Sequence, residues 1–224
     1  MHDHDRGLQF DVSTLMTRRR ALQLVAAGGL AAALGCGSSS SDSGGTAAAT
    51  TDAAGTAGAA AAATAAIPEE TAGPYPADGS NNVNVLGESG IVRSDLTASF
   101  GSASGTAEGV PLAISLTVLD VAAGGAPVEG AAVYLWHCDR EGRYSLYDPS
   151  IASENYLRGV QASGADGGLR FISIWPGAYS GRWPHIHFEV YPSPAEATSA
   201  GAKLVTSQIA LPEAACRDVY VTAG

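Results

Sequence analysis

The chain has 224 residues, only 15% of them charged, and 22 acidic against 12 basic side chains give a formal net charge of −10. A field of that sign repels a phosphate backbone, which excludes nucleic acid as a partner and leaves a neutral or cationic ligand, or an anion held by a local metal. Composition divides the chain into 1–36, 37–66 and 67–224, the last with 8 basic and 17 acidic residues and enough length for one core.

The first stretch reads as an export signal. Arg18-Arg19-Arg20 precedes an apolar run ending in Ala33-Leu34-Gly35-Cys36. At about 14 residues this run is shorter than the roughly 20 a spanning helix needs, and it fits a signal peptide. Adjacent arginines point to the twin-arginine route, which carries folded proteins. Cys36 fits a lipoprotein cleavage site, with Ala33 where such a box usually has Leu; ordinary cleavage near Ala33 is the alternative. The expected location is the periplasmic or extracellular face, with a lipid anchor at Cys36. Residues 37–66, rich in Ser, Gly, Ala and Thr, bury too little apolar surface to offset ordering entropy and read as a disordered tether.

Beyond residue 66 the pattern predicts an all-β, antiparallel β-sandwich. Short apolar runs rich in branched residues at 112–121 (LAISLTVLDV), 131–138 (AAVYLWHC), 168–175 (GLRFISIW), 185–191 (HIHFEVY) and 203–211 (KLVTSQIAL) are expected strands. Turns are expected at Gly124-Gly125-Ala126-Pro127, Arg140-Glu141-Gly142, Ala165-Asp166-Gly167-Gly168 and Pro176-Gly177. No segment keeps a helical period, so no helix is expected. With Cys36 lipidated, Cys138 and Cys216 remain as an even pair in an exported domain, and a disulfide between them is expected, two buried thiols being the alternative.

The segment 171–190, FISIWPGAYSGRWPHIHFEV, carries the chemistry. Residues two apart on a strand share a face, so His185 and His187 present two imidazoles together, as a metal site or as a structural pair. Tyr179 follows the Pro-Gly turn, Arg182 lies three residues before His185, and Tyr144 ends the turn after 131–138. Two phenolates with two imidazoles would suit a hard trivalent ion, whereas zinc prefers Cys, His and carboxylate. Eight tyrosines are present, and residue type alone does not single out two. His137 reads as a satisfied structural histidine.

Gly142-Arg143-Tyr144-Ser145, Leu157-Arg158-Gly159-Val160-Gln161 and Pro176-Gly177-Ala178-Tyr179-Ser180-Gly181-Arg182-Trp183-Pro184-His185-Ile186-His187 together resemble the intradiol ring-cleavage dioxygenases, the family of the catechol and protocatechuate enzymes. Glu70-Thr71-Ala72-Gly73-Pro74-Tyr75 and Gly109-Val110-Pro111-Leu112 resemble its opening segments, and the likeness is strongest to the exported single-domain branch. The resemblance implies that Tyr144, Tyr179, His185 and His187 ligate a non-haem Fe(III), Tyr179 leaving when catechol binds. Arg182 would stabilise oxyanionic character on the bound ring, and Gln208 would line the pocket. Catechol or a polyphenol would be cleaved with O2 to a cis,cis-muconate-type diacid.

Two departures stand out. Only five residues separate Tyr179 from His185, which predicts a shallow site open to bulky catechols such as lignin fragments. The family continues beyond the point matching Gly224, so the sandwich is expected to be shortened at its C-terminus, with an unpaired edge. Two rivals remain. One is a tethered binding lipoprotein whose His-x-His is structural or holds zinc; the other is a cupin, which would need a further histidine after His187.

Overall fold

The computed structural model describes residues 65–222. The signal peptide, the Cys36 anchor and nearly all of the tether expected from the sequence lie outside the described residues. Among the described residues, no helix is long and apolar enough to cross a membrane.

Among the described residues, eight strands form in chain order: β1 (Pro111–Thr117), β2 (Leu119–Asp120), β3 (Ala126–Pro127), β4 (Ala132–Trp136), β5 (Arg158–Ala162), β6 (Gly168–Ile174), β7 (His185–Tyr191) and β8 (Val205–Ala210). The main sheet runs β5-β4-β7-β8, every neighbour antiparallel. A second sheet pairs β1 with β6, from Pro111 opposite Ile174 to Thr117 opposite Gly168, and β2 and β3 form a small ribbon. The all-β antiparallel architecture expected from the sequence is therefore present.

Alternation along the strands builds two apolar layers, one on each face of the main sheet. Val133, Leu135, Ile186, Phe188 and Val190 face Ile114, Leu169 and Phe171 of the β1–β6 sheet and form the sandwich core. Ala132, Tyr134, Trp136 and Tyr191 face the other way, where residues 77–91, Tyr144 and Ala197 cover them. β4 is consequently buried along its whole length, as a strand covered on both faces must be. The β5–β6 turn requires glycine: Gly167 has φ of +73° and a Cβ there would collide with the Val118 carbonyl 2.5 Å away.

Three expectations change. The run 112–121 divides into β1 and β2, because Val118 leaves the β1–β6 ladder to bond Gly167 and Val128. Among the described residues, two helices form where none was expected. α1 (Pro194–Thr198) starts at Ser193, whose hydroxyl accepts from the Glu196 N–H, with Pro194 in the first turn. α2 (Glu213–Thr222) lays Ala215, Cys216, Val219 and Tyr220 on the sandwich core, a helical spacing that registers only over its ten residues. The expected disulfide is absent: Cys138 and Cys216 are both free and buried. Cys138 packs with the outer layer and Cys216 with the sandwich core, so the two thiols belong to different layers.

Candidate metal centre

The site lies on the outer face of the main sheet. His185 and His187, two apart on β7, point to that face while Ile186 and Phe188 enter the sandwich core. The His187 ring stacks on Trp136, its partner in the β4–β7 register, with centroids 5.0 Å apart and planes 5° apart. That contact fixes the plane of the imidazole.

Two loops bring the tyrosines to the histidines. After β4, the Asp139 carboxylate accepts from the backbone N–H of Glu141 and of Arg143 and pairs with the Arg143 guanidinium at 2.7 Å, so the turn is closed by one side chain. Tyr144 follows directly. After β6, Gly177 donates its N–H to the Asp139 carbonyl at 2.8 Å. A Cβ on Gly177 would overlap Arg140, so only glycine lets the loops touch. Tyr179 leaves this contact aimed at Tyr144.

The four side chains converge. The Tyr144 and Tyr179 hydroxyls are 3.2 Å apart, the Tyr179 hydroxyl is 3.0 Å from His185 Nε2, and the two Nε2 atoms are 3.1 Å apart. Donors held about 2.1 Å from one ion at about 90° lie about 3 Å from each other, so this spacing fits the first shell of a single metal. Among the described residues, no group of three or more His, Cys, Asp or Glu gathers elsewhere as a metal cluster. The donor set is two imidazoles and two phenols, which fits a hard trivalent ion better than zinc.

The electrostatics agree with that chemistry. Burial, then the charges of His185, Arg182 and Arg158, hold His187 well below the usual imidazole range, so it is a neutral lone-pair donor. Burial pushes both phenols above their ordinary value, with Cys138 and Tyr179 adding to the effect at Tyr144. A bound cation would have to displace these protons itself. His185 Nδ1 donates to the Trp183 carbonyl at 2.5 Å, which turns Nε2 toward Tyr179 and His187.

The two further residues also meet. Arg182 Nη2 donates to Gln208 Oε1 at 2.7 Å, and Gln208, opposite His187 in the β7–β8 register, donates to the Thr71 carbonyl at 2.8 Å. Thr71 in turn caps Gly73, whose φ is +67° and whose bare Cα faces His187; a Cβ there would lie 3.3 Å from Cε1. His137 stands apart, both ring nitrogens paired, with the Cys138 carbonyl and the Ser173 hydroxyl at 2.7 Å each. Arg158 stands in the 157–161 motif, but the motif gave it no role; it is fully buried, which the sequence alone did not signal.

The family model described as Dioxygenase matches residues 91–210. Catechol 1,2-dioxygenase 1 of Acinetobacter lwoffii is 32% identical over 103 residues, covering 38% of this chain and 31% of that protein. Chlorocatechol 1,2-dioxygenase of Rhodococcus opacus is 36% identical over 55 residues, 25% of this chain and 21% of that protein. The chain thus spans about a third or less of the curated relatives it matches. Among solved structures, an intradiol ring-cleavage dioxygenase from Tetranychus urticae is similar at 26% identity, with 58% of this chain and 62% of that chain covered and a TM-score of 0.47. The dioxygenase domain of a carbohydrate-binding fusion protein from Streptomyces sp. SirexAA-E is similar at 26% identity, covering 65% and 75%, with a TM-score of 0.44.

Proposed function

The chain belongs to the intradiol ring-cleavage dioxygenase family, and on that premise we propose that it opens catechol-type rings with O2 at a non-haem Fe(III) centre, giving cis,cis-muconate-type diacids. The observation that carries the reading is the convergence of Tyr144, Tyr179, His185 and His187, whose successive polar atoms lie 3.0–3.2 Å apart. These four would hold the ion. When bound, Fe(III) would supply the Lewis acidity that ionises phenol and catechol at neutral pH and the electron withdrawal that opens the ring to O2.

Each side chain has a distinct task. Tyr144, buried to 4% exposure, is the fixed phenol, and Tyr179 is the half-buried one nearer solvent. The Tyr179 oxygen is shared between Tyr144 and His185; once ionised by a bound cation, this phenolate would be the one to give up its place and accept a proton from an incoming catechol hydroxyl. The Arg182 charge lies close enough to favour ionisation of Tyr179 and to oppose protonation of His187. Held by Gln208, it would stabilise negative charge developing on the ring. Ala178, Ser180 and Gly181 are exposed around Tyr179, which supports an open site accepting bulky or polymer-derived catechols. Export and lipidation at Cys36 stay part of the proposal on sequence grounds.

The test is a visible spectrum of the purified protein with iron analysis, followed by catechol in air. A red-brown phenolate-to-iron band that shifts with catechol and bleaches as muconate absorption grows is the expected result. A colourless, folded protein that holds zinc or no metal would replace this reading with a binding module.

A further inference from the structure

Arg158 opens β5 and is fully buried. It makes no ion pair among the described residues. Its guanidinium is satisfied instead by neutral oxygens: Nε donates to the Ser145 hydroxyl at 3.1 Å and Nη2 to the Ser145 carbonyl at 3.0 Å. Nη1 donates to the Tyr75 carbonyl at 2.9 Å, and to the Pro76 carbonyl and the Tyr134 hydroxyl at 3.2 Å each. The Tyr147 ring lies 5.4 Å from the guanidinium carbon.

A buried cation without an anionic partner is costly, and an apolar side chain of similar size would pack there at lower cost. The five bonds show what the charge holds. Ser145 is bonded covalently to Tyr144, and the Tyr75 ring packs on Tyr144 with centroids 4.8 Å apart. One rigid fork therefore grips the backbone behind the Tyr144 ring and the backbone of the aromatic that lies against it.

We propose, resting on the ferric reading of the site, that Arg158 is a positioning residue that fixes the Tyr144 oxygen toward the metal by clamping Ser145 and Tyr75 together. Lysine keeps the charge but carries three donors on one nitrogen in place of the planar fork, so it cannot hold the Ser145, Tyr75 and Pro76 carbonyls together with the Ser145 and Tyr134 hydroxyls. Tyr144 then gains freedom about its own backbone, and an oxygen displaced by about 1 Å is a poorer donor.

The experiment uses the full chain loaded with Fe(III), comparing Arg158→Lys and Ser145→Ala with the unsubstituted protein. Leu169→Ala, in the sandwich core on the far side of the main sheet, is the control for lost stability. The readouts are the position of the phenolate-to-iron band, the rate of iron release to a chelator, and Tm. Arg158→Lys is expected to release iron about 10–100-fold faster with a displaced band, as loss of outer-shell support does. Ser145→Ala should move both in the same direction by less and carries the test if Arg158→Lys does not fold, while Leu169→Ala lowers Tm and leaves the band in place. Unchanged band and release in both site variants, or equal changes in Leu169→Ala, would overturn the inference alone. A wild-type protein with no band would overturn the ferric reading and this inference with it.

Discussion

The hydroxyls of Tyr144 and Tyr179 meet at 3.2 Å although the two residues are 35 positions apart and on different loops. The meeting depends on the bare Cα of Gly177 against the Asp139–Gly142 turn. Two phenols held this way are a donor pair, and each should affect a bound ion differently. Tyr144→Phe is expected to abolish the visible band, and Tyr179→Phe to leave a weaker one with ring-opening activity lost. Absorption of the iron-loaded variants checks this, and a full band in Tyr144→Phe would remove that residue from the ligand set.

Gly73→Ala should damage the site without touching a donor. The left-handed backbone at φ +67° costs a non-glycine residue about 1 kcal/mol. The added methyl would also press on His187, whose ring already stacks on Trp136. Iron release measured beside urea unfolding should show both a small stability loss and faster metal loss; a change in stability alone would mean that His187 yields freely.

Stability should fall in mild acid partly through His137. Burial brings its pKa down from 6.5 to about 4. A depressed imidazole contributes its stability above pH 6.5 and loses it as pH drops from 6.5 toward 4, a span worth about 3 kcal/mol. In His137→Gln the difference in unfolding free energy between pH 7.5 and pH 4.5 should shrink by about that amount. An unchanged difference would show that the ring is already charged in the fold.

Lys203 joins two carboxylates, at 2.6 Å from Asp78 and 2.6 Å from the fully buried Glu189. Burial pushes Glu189 up, whereas at Asp78 the bonds from Lys203 and Ser80 outweigh burial and hold it down at about 2. The ammonium therefore serves Asp78 as its firm anion. Lys203→Met should cost about 2 kcal/mol, less than a fully buried pair because its side chain is 37% exposed. Pairing it with Glu189→Gln should recover part of that loss in denaturant titrations, and no recovery would place the cost in lost packing.

Cys138 and Cys216 should behave as two slow thiols. Burial pushes Cys138 up to about 12 and also raises Cys216, so neither is a ready thiolate at neutral pH. A thiol reagent should leave both unmodified in the native protein and label both in denaturant without reductant. Labelling that needs reductant would indicate a bond between them.

The strands with two-residue alternation were readable because burial on one face writes that period into the chain. β5 was not: Arg158-Gly159-Val160-Gln161-Ala162 has no alternation, and pairing with β4 makes it a strand. The helices escaped because five and ten residues hold too few turns to display a period. The four donors were named from their motif order, yet their approach to 3 Å depends on Gly177, Asp139 and Gly73, whose roles are contacts between distant segments. The cysteines misled because an even count says nothing about which layer each thiol occupies.

β7 sends His185 and His187 to one face and Ile186, Phe188 and Val190 to the other. Sliding this strand by one residue against β4 would put imidazoles among the leucines and an isoleucine where a donor should be. The pairing that completes the sandwich core is thus the same pairing that gathers the four side chains of the candidate centre, and neither can be had in another register.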